Sequence, residues 1–184
     1  MAAYIRPIKK EDTDNILRWR NNPNVRSNFV FQDDLTREAH EVWMDTNVNA
    51  GKTAQFIIVT DALGDVGSVY LRDIDSRHRK AEFGIFIGED AARGKGFGTA
   101  ATLMILEHAF RELNLNKVFL RVFTDNVGAI RSYERAGFTK EGCFVEDVII
   151  DNKPRDMVFM ALLKSQYERI SQDEKTSANK TLAL

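Results

Sequence analysis

The spacing of hydrophobic residues changes several times along this chain of 184 residues, and each change predicts a new structural element. From Gly96 onwards, apolar residues recur every three or four positions, which predicts a long helix with one face against a sheet. Shorter apolar or alternating runs on both sides of this helix predict strands. The predicted strands cover residues 3–8, 53–60, 66–74, 81–88, 117–124, 138–150 and 155–163.

Polar capping residues divide the segments between these strands. Asp12 or Thr13 is placed to cap a first helix, and Thr36 is placed to cap a second one. The stretch 24–34 between them is predicted to be irregular. A short helix is predicted for residues 126–136, and the interleaving of strands with helices predicts a mixed α+β sheet.

Composition and charge narrow the class of protein. With 43% hydrophobic and 29% charged residues, residues 1–170 are expected to form one compact domain, followed by a polar, frayed tail over residues 171–184. A formal net charge of −1 provides no overall attraction for nucleic acid or an anionic membrane. The single cysteine, Cys143, cannot form a disulfide within the chain, and no run has the pattern of a membrane span or signal peptide. We therefore predict a soluble, cytoplasmic protein.

The strand over residues 81–88 leads through a glycine-rich turn into the long helix. Such a turn presents free backbone N–H groups and the positive end of the helix dipole, so it predicts binding of a phosphorylated cofactor. A Walker A loop does not fit, because Lys95 is followed by Gly96 and not by Ser or Thr. A dinucleotide fingerprint does not fit either, because Thr99 occupies the place of its third glycine.

Two motifs identify a family resemblance. Arg93, Gly96 and Gly98 match the pattern R/Q-x-x-G-x-G/A, and residues 126–138 (NVGAIRSYERAGF) follow the next strand. In these motifs and in the order of its elements, the chain resembles the GCN5-related N-acetyltransferase (GNAT) family over residues 5–163. The resemblance implies an α+β fold with a mixed, mostly antiparallel central sheet flanked by helices. It also implies transfer of an acetyl group from acetyl-CoA to a primary amine by direct attack on the thioester, without a metal.

The resemblance also implies which residues bind acetyl-CoA. In the family, the glycine loop cradles the pyrophosphate, and the preceding strand offers main-chain groups to the pantetheine arm and the thioester oxygen. The family asparagine at the start of the short helix contacts the cofactor arm, in addition to any capping role. The implied residues are Phe86, Ile87, Gly88, Arg93, Gly94, Lys95, Gly96, Phe97, Gly98, Thr99 and Asn126. The alternative for the loop is a glycine-rich helix start that serves only close packing.

Tyr133 matches the family tyrosine that protonates the departing thiolate. A phenol keeps its proton at neutral pH and can release it to a forming thiolate of comparable basicity, which suits a general acid. The alternative is a core tyrosine, because Val127, Ile130 and Tyr133 share one helical face.

Glu82 is our candidate for the general base. Strand alternation places Glu82 and Phe86 on one face together with Gly84 and Gly88, and the two glycines are expected to leave room for a substrate or water. We predict that Glu82 accepts the amine proton directly or through water. The alternative is a buried ion pair with Arg121 or Arg79. Further acidic candidates for substrate contact are Glu146 and Asp147.

The acceptor amine is left open among three classes. Residues 19–26 (WRNNPNVR) resemble amino-sugar-nucleotide N-acetyltransferases, and Trp19 and Arg26 are candidates to line the acceptor pocket. Residues 67–83 resemble polyamine N-acetyltransferases and enzymes that acetylate ribosomal-protein N-termini. A polyamine would require several acids in the pocket. The available acids are Asp33, Asp34, Glu82, Glu146 and Asp147.

A hypothesis from another class is a non-catalytic acyl-CoA-binding sensor on the same fold. The histidines have no metal-ligand spacing, so no metal site is predicted. An exposed final strand could pair with a second copy, which leaves monomer and homodimer as alternatives. Besides the acceptor, which is a small molecule or a peptide, no nucleic acid or membrane partner is predicted.

Overall fold

A computed structural model describes residues 2–172. Its seven strands form one sheet in the order β1-β2-β3-β4-β5-β7-β6. All neighbouring strands are antiparallel except the parallel pair β4 and β5. The strands are β1 (Ala3–Pro7), β2 (Ala54–Thr60), β3 (Gly64–Asp75), β4 (Lys80–Ile87), β5 (Lys117–Phe123), β6 (Thr139–Ile150) and β7 (Lys153–Leu163). The predicted mixed, mostly antiparallel sheet is confirmed.

Helices cover both faces of the sheet. Two of them are prolonged by a π-helical turn, α3 through Met44–Val48 and α4 through His108–Glu112. None of the helices in residues 2–172 has the length and apolar content needed to cross a membrane. The helices are α1 (Thr13–Arg20), α2 (Pro23–Arg26), α3 (Arg37–Trp43), α4 (Phe97–Glu107), α5 (Val127–Arg135) and α6 (residues 164–172).

Side-chain caps define where the helices begin. The Thr36 hydroxyl accepts a hydrogen bond from the Ala39 N–H at the start of α3, and the Asn126 side chain accepts one from the Ala129 N–H at the start of α5. Both satisfy donors that lack a partner within the helix. The predicted starts of these two helices are therefore confirmed.

Two apolar clusters hold the helices to the sheet. The larger one joins α4 and α5 to one face, with Phe83, Ile105 and Phe138 fully or almost fully buried. The smaller one joins α1, α2 and α3 to the other face, around Trp19 and Phe86. Because side chains alternate along β4, this strand contributes to both clusters and is fixed from both sides.

The structure differs from the sequence predictions in three places. The segment expected to be irregular contains the short helix α2, which has Pro23 at its first position and is capped by Asn22. The helix α6 follows the final strand, while residues 173–184 of the predicted tail lie outside the described part of the chain. The final strand is not exposed, because β7 lies between β5 and β6 and the edge strand is β6.

Candidate active site

The centre of the sheet opens where β4 and β5 diverge. These parallel strands are paired only from Lys80 to Glu82 on β4 and from Lys117 to Phe119 on β5. Beyond this point β4 stays paired with β3, and β5 stays paired with β7. The facing backbone edges of β4 and β5 therefore lack a neighbouring strand and can hydrogen-bond to an extended ligand between them.

The direction of the main-chain groups corrects the predicted contacts on β4. The Gly88 N–H donates to the Val66 carbonyl at 2.8 Å, and the Phe86 carbonyl lies against Gly67 of β3. Because backbone direction alternates along a strand, Ile87 and the neighbouring Ile85 turn their N–H and C=O groups towards β5. The main-chain groups of Ile85 and Ile87 therefore face the opening, whereas those of Phe86 and Gly88 face β3.

The glycine loop lies at the wide end of this opening. Gly94 and Gly96 have positive φ angles of 71° and 83°, and a Cβ on either would meet no atom within 4 Å. Within residues 2–172, no hydrogen-bond partner is recorded for the backbone N–H groups of residues 94–99. Six unpaired donors at the start of α4 form a cradle that suits a diphosphate.

The two basic side chains of the loop are arranged differently from each other. The Arg93 Nε donates to the Ile87 carbonyl at 3.3 Å, and its guanidinium forms an ion pair with Asp90 at 3.2 Å. Lys95 is exposed to solvent. Arg93 therefore braces the loop against β4, and Lys95 remains the side chain that can reach a bound anion.

A cleft of about 1310 Å³ joins the opening in the sheet to the faces of α1 and α5. All predicted catalytic and cofactor-binding residues line it except Gly88 and Lys95. Most of its walls are apolar, with a few polar groups in between, as is usual for small-molecule sites. The predicted residues that line it are Glu82, Phe86, Ile87, Arg93, Gly94, Gly96, Phe97, Gly98, Thr99, Asn126 and Tyr133.

The start of α5 closes one side of the cleft. The Asn126 amide donates to the Asn28 side chain at 2.9 Å, across from the segment that follows α2. The hydroxyls of Thr99 and Ser132 lie 3.2 Å apart and join α4 to α5. These contacts hold α5, and with it Tyr133, beside the glycine loop.

Tyr133 projects from α5 into the cleft. Its ring packs edge to face on Phe83 at 5.7 Å and on Phe138 at 6.1 Å between ring centroids. Burial, with a smaller contribution from the nearby Tyr70, raises the pKa of Tyr133 well above its usual value near 10. Packing and function are therefore compatible here, because the same apolar contacts that fix the ring keep its hydroxyl protonated.

Glu82 lies at the point where the strands diverge, and its side chain is 10% exposed. It forms ion pairs with Arg72 at 2.8 Å and with Arg121 at 3.4 Å. The ion pair with Arg121 was the predicted alternative. The ion pair with Arg72 was not predicted, and within residues 2–172 Arg79 forms no ion pair with Glu82. Among the residues that line the cleft, Glu82 is the one carboxylate.

The space beside Gly84 and Gly88 is occupied by protein and does not admit a substrate. A Cβ on Gly84 would lie 2.3 Å from the Tyr70 ring, and a Cβ on Gly88 would lie 2.1 Å from the Trp19 ring. The prediction that these two glycines leave room for a substrate or water is therefore wrong. The glycines instead let the rings of Tyr70 and Trp19 pack directly on β4.

The two residues that were predicted to line an acceptor pocket, Trp19 and Arg26, do not line the cleft. Trp19 is buried and donates to Glu89 at 2.8 Å, while Arg26 forms an ion pair with Asp34. From α1 the cleft is lined by Ile16 and by Arg20, which was not predicted. Its position in the sequence could have indicated it, because it lies one helical turn after the buried Ile16.

The acids that a polyamine pocket would need are dispersed. Asp33 and Asp34 are exposed near α3, and Glu146 and Asp147 are exposed on the edge strand β6. None of these four lines the cleft. Within residues 2–172, no three His, Cys, Asp or Glu side chains are grouped to hold a metal ion, and Cys143 is exposed.

Comparisons with known proteins agree with this geometry. Residues 3–139 match the acetyltransferase (GNAT) domain family. A spermidine N(1)-acetyltransferase from Vibrio cholerae is 29% identical over 163 residues, which cover 89% of this chain and 94% of that protein. A putative ribosomal N-acetyltransferase from Bacillus subtilis is 34% identical over 102 residues, which cover 55% of each chain.

A solved structure has the same fold. The spermidine N-acetyltransferase from Vibrio cholerae in complex with CoA and spermine superposes with a TM-score of 0.84 at 29% identity, covering 90% of this chain and 97% of that one. The family match spans most of the chain, and the opened sheet and the glycine cradle fit acetyl-CoA. The chain belongs to the GNAT family and is an acetyl-CoA-dependent N-acetyltransferase.

Proposed function

We propose that the cleft holds acetyl-CoA between β4 and β5 and transfers its acetyl group directly to a primary amine of a small molecule or peptide. The observation that carries this proposal is the divergence of β4 and β5 next to the unpaired N–H groups of residues 94–99. The cradle would bind the diphosphate, and the main-chain groups of Ile85 and Ile87 would bind the pantetheine arm and polarise the thioester carbonyl.

Tyr133 would act as the general acid. When the amine attacks the thioester carbonyl, a tetrahedral oxyanion forms, and its collapse expels the CoA thiolate, which requires a proton. The Tyr133 hydroxyl is protonated throughout the neutral pH range because burial raises its pKa. A thiolate formed in the same buried place is also destabilised by desolvation, so the phenol and the thiolate remain matched as proton donor and acceptor.

Glu82 would accept the proton of the attacking amine through water. Its Oε1 accepts hydrogen bonds from Arg72 and Arg121, and its Oε2 accepts one from the Arg72 Nε at 3.2 Å. Carboxylate oxygens have further lone pairs, so a water or an ammonium group can still donate to them. The two arginines would hold this carboxylate in place as the acceptor enters.

The test combines binding and turnover. Purified enzyme should bind acetyl-CoA, and free thiol should appear when amines of the three acceptor classes are supplied. Tyr133→Phe should lower kcat by about 100-fold or more, the usual range for loss of a general acid, while leaving the Kd for CoA within about twofold. The control is Tyr4→Phe, which changes an exposed tyrosine of β1 far from the cleft.

An acyl-CoA sensor without turnover, the alternative from the sequence, does not agree with the match to the acetyltransferase family and its relatives. The sensor hypothesis predicts that acetyl-CoA binds but that no amine in the panel releases thiol, and that Tyr133→Phe has no kinetic consequence. The position of Tyr133 in the lining of the cleft, with a hydroxyl that burial keeps protonated, supports the enzyme over the sensor.

We further propose that residues 1–170 act as one acetyltransferase domain and that the enzyme is cytoplasmic. Monomer and homodimer are both kept as proposals, with the edge strand β6 as the surface for a second copy. Light scattering during gel filtration distinguishes them, since a dimer doubles the 21.0 kDa mass of the chain.

A further inference from the structure

The charged side chains around the cleft are strongly unbalanced. Five arginines line it against a single carboxylate, Glu82. Three of these arginines, Arg20, Arg72 and Arg121, lie on what we call the acceptor side of the cleft. There Glu82 forms ion pairs with Arg72 and Arg121 and none with Arg20. The acceptor side therefore carries excess positive charge before any ligand binds. The five arginines are Arg20, Arg72, Arg93, Arg121 and Arg135.

Of Arg20, Arg72 and Arg121, Arg20 is the one that has no ion pair with a carboxylate of the described residues. Within residues 2–172 no acid forms an ion pair with it, and its Nη1 is buried without a hydrogen-bond partner. Its guanidinium lies 3.4 Å from the centroid of the Phe29 ring. Burial lowers the pKa of Arg20, the neighbouring Tyr70 opposes this effect, and the charge of Arg72 adds to it.

An unpaired, half-buried guanidinium is costly for the folded protein, because it has lost water without gaining an anion. Another partly buried arginine of the chain, Arg6, is paired with carboxylates. Arg6 lies between Asp12 at 2.8 Å and Asp65 at 2.6 Å, so its charge is fully compensated. The stacking of Arg20 on Phe29 fixes the plane of its guanidinium but supplies no negative charge.

We propose that the acceptor carries an anionic group, a carboxylate or a phosphate, which Arg20 binds while the amine reaches the thioester. This inference rests on the proposed acetyl transfer and specifies its acceptor. A planar guanidinium matches two oxygens of a carboxylate or phosphate with parallel hydrogen bonds. The amides of Asn24 and Asn28 also line the cleft and can donate to the same anion.

A polyamine fits this site poorly. Its ammonium groups would meet three guanidinium groups and one carboxylate that is already paired with two of them. Like charges in a partly desolvated cleft repel each other. The site therefore favours an amine with an anion over a polycation.

Turnover of matched acceptors tests the proposal. The panel pairs glucosamine 6-phosphate with glucosamine, and a dipeptide with its C-terminal amide, so that phosphate and carboxylate are tested separately, with spermidine as the polycation. We expect kcat/KM to be about tenfold or more higher for at least one anionic member than for its neutral partner and for spermidine, which corresponds to one charge-assisted contact. Equal values within both pairs, or the highest value for spermidine, would overturn the proposal.

Binding and stability measurements keep the inference separate from catalysis. Calorimetry on the enzyme with CoA bound should show tighter binding of the anionic amine than of its neutral partner, even where no thiol is released. Equal affinities for the two members would reject the anion site, whereas differential binding without turnover would reject only the proposed acetyl transfer.

Variants of Arg20 test whether this residue causes the preference for an anionic acceptor. Arg20→Gln should raise KM for the anionic amine about tenfold more than KM for its neutral partner. It should also raise the melting temperature of the free enzyme, because it removes an unpaired, half-buried charge. Arg20→Lys should retain part of the preference. The control is Arg111→Gln, which alters a surface ion pair with Glu107. A lower melting temperature with unchanged acceptor preference would show that Arg20 only packs on Phe29.

Discussion

Glu82 combines two roles that are usually separated, since it is both the centre of an ion-pair network and the one carboxylate of the cleft. Two arginines from the neighbouring strands β3 and β5 meet at it, one on each side of the point where the sheet opens. The same network therefore holds the strands together at the narrow end of the opening and fixes a carboxylate in the wall of the cleft.

Glu82→Gln tests whether the carboxylate takes part in proton transfer. We expect kcat/KM to fall about 100-fold, with a changed acid limb of the pH–rate profile, because an amide cannot accept the amine proton. The control is Glu107→Gln on the exposed side of α4. A variant that loses thermal stability but keeps the shape of the pH–rate profile would show that Glu82 is only an ion-pair partner.

The buried histidine His40 should make the stability of the protein depend on pH. Its side chain in α3 is 2% exposed, stacks on Trp43, and has both ring nitrogens without a hydrogen-bond partner in the described residues. Burial lowers the pKa of His40 below its usual value near 6.5, with Glu41 opposing and Arg37 adding to the shift. His40 therefore binds a proton less readily in the folded state than in the unfolded state.

The contribution of His40 to stability is complete above the unfolded pKa near 6.5 and is lost as the pH falls below it. Within this window, the free energy of unfolding should fall by up to about 1.4 kcal/mol per pH unit from His40. Urea unfolding of His40→Leu between pH 7.5 and pH 5 should show a shallower loss than the wild type. The control substitution is His78→Leu, which replaces an exposed histidine in a turn.

Two glycines with positive φ angles, Gly96 and Gly51, allow the effect of backbone strain to be measured separately from the effect on ligand binding. Gly96 is the residue before α4 and has a φ of 83°, and Gly51 has a φ of 71° at the end of the segment after α3. Neither would bring a Cβ within 4 Å of another atom. The two glycines are therefore equivalent in strain, but only Gly96 lines the cleft.

Alanine at each of these glycines should cost about 1 kcal/mol of stability, because a side chain disfavours a positive φ. Gly96→Ala should in addition weaken CoA binding about tenfold or more, since the loop must present its N–H groups at close range to the diphosphate. Calorimetry with CoA measures the affinity, and thermal unfolding measures the stability. Equal CoA affinities for Gly96→Ala and Gly51→Ala would contradict the assigned cradle.

The molecule consists of two half-sheets that share a short seam. Strands β1 to β4 form one half, β5 to β7 form the other, and three residue pairs join β4 to β5. The ion pair of Glu82 with Arg121 and the packing of α4 and α5 over the larger apolar cluster add to this connection. A ligand that hydrogen-bonds along β4 inside the opening is therefore expected to stiffen the whole protein.

Hydrogen exchange measures this effect directly. Addition of CoA should slow exchange of the Ile85 and Ile87 amides, which face the opening. The Gly88 amide, which donates to Val66, should exchange slowly in both states and serves as the internal control. At a CoA concentration of 100 times Kd, the free energy of unfolding should rise by about 2.7 kcal/mol. Unchanged exchange at Ile85 and Ile87 in the presence of bound CoA would contradict the proposed position of the pantetheine arm.

Local patterns in the sequence determined the strands, most of the helices and the glycine loop. Helix caps such as Thr36 and Asn126, and glycines with positive φ such as Gly96, act over a few residues, so their consequences can be derived from neighbouring positions. The period of the hydrophobic residues likewise indicates which face of each element is buried. Resemblance in two motifs was sufficient to indicate the family.

Only the tertiary structure determined the shape of the cleft and the arrangement of the charged side chains in it. The opening between β4 and β5, the choice of Arg72 as a partner for Glu82, and the unpaired charge of Arg20 all depend on contacts between residues far apart in the chain. Such contacts depend on strand order, register and helix packing, which no local pattern specifies. The rings of Tyr70 and Trp19 occupy space that the glycines alone suggested was free, because a sequence shows a missing side chain but not the neighbour that fills its place.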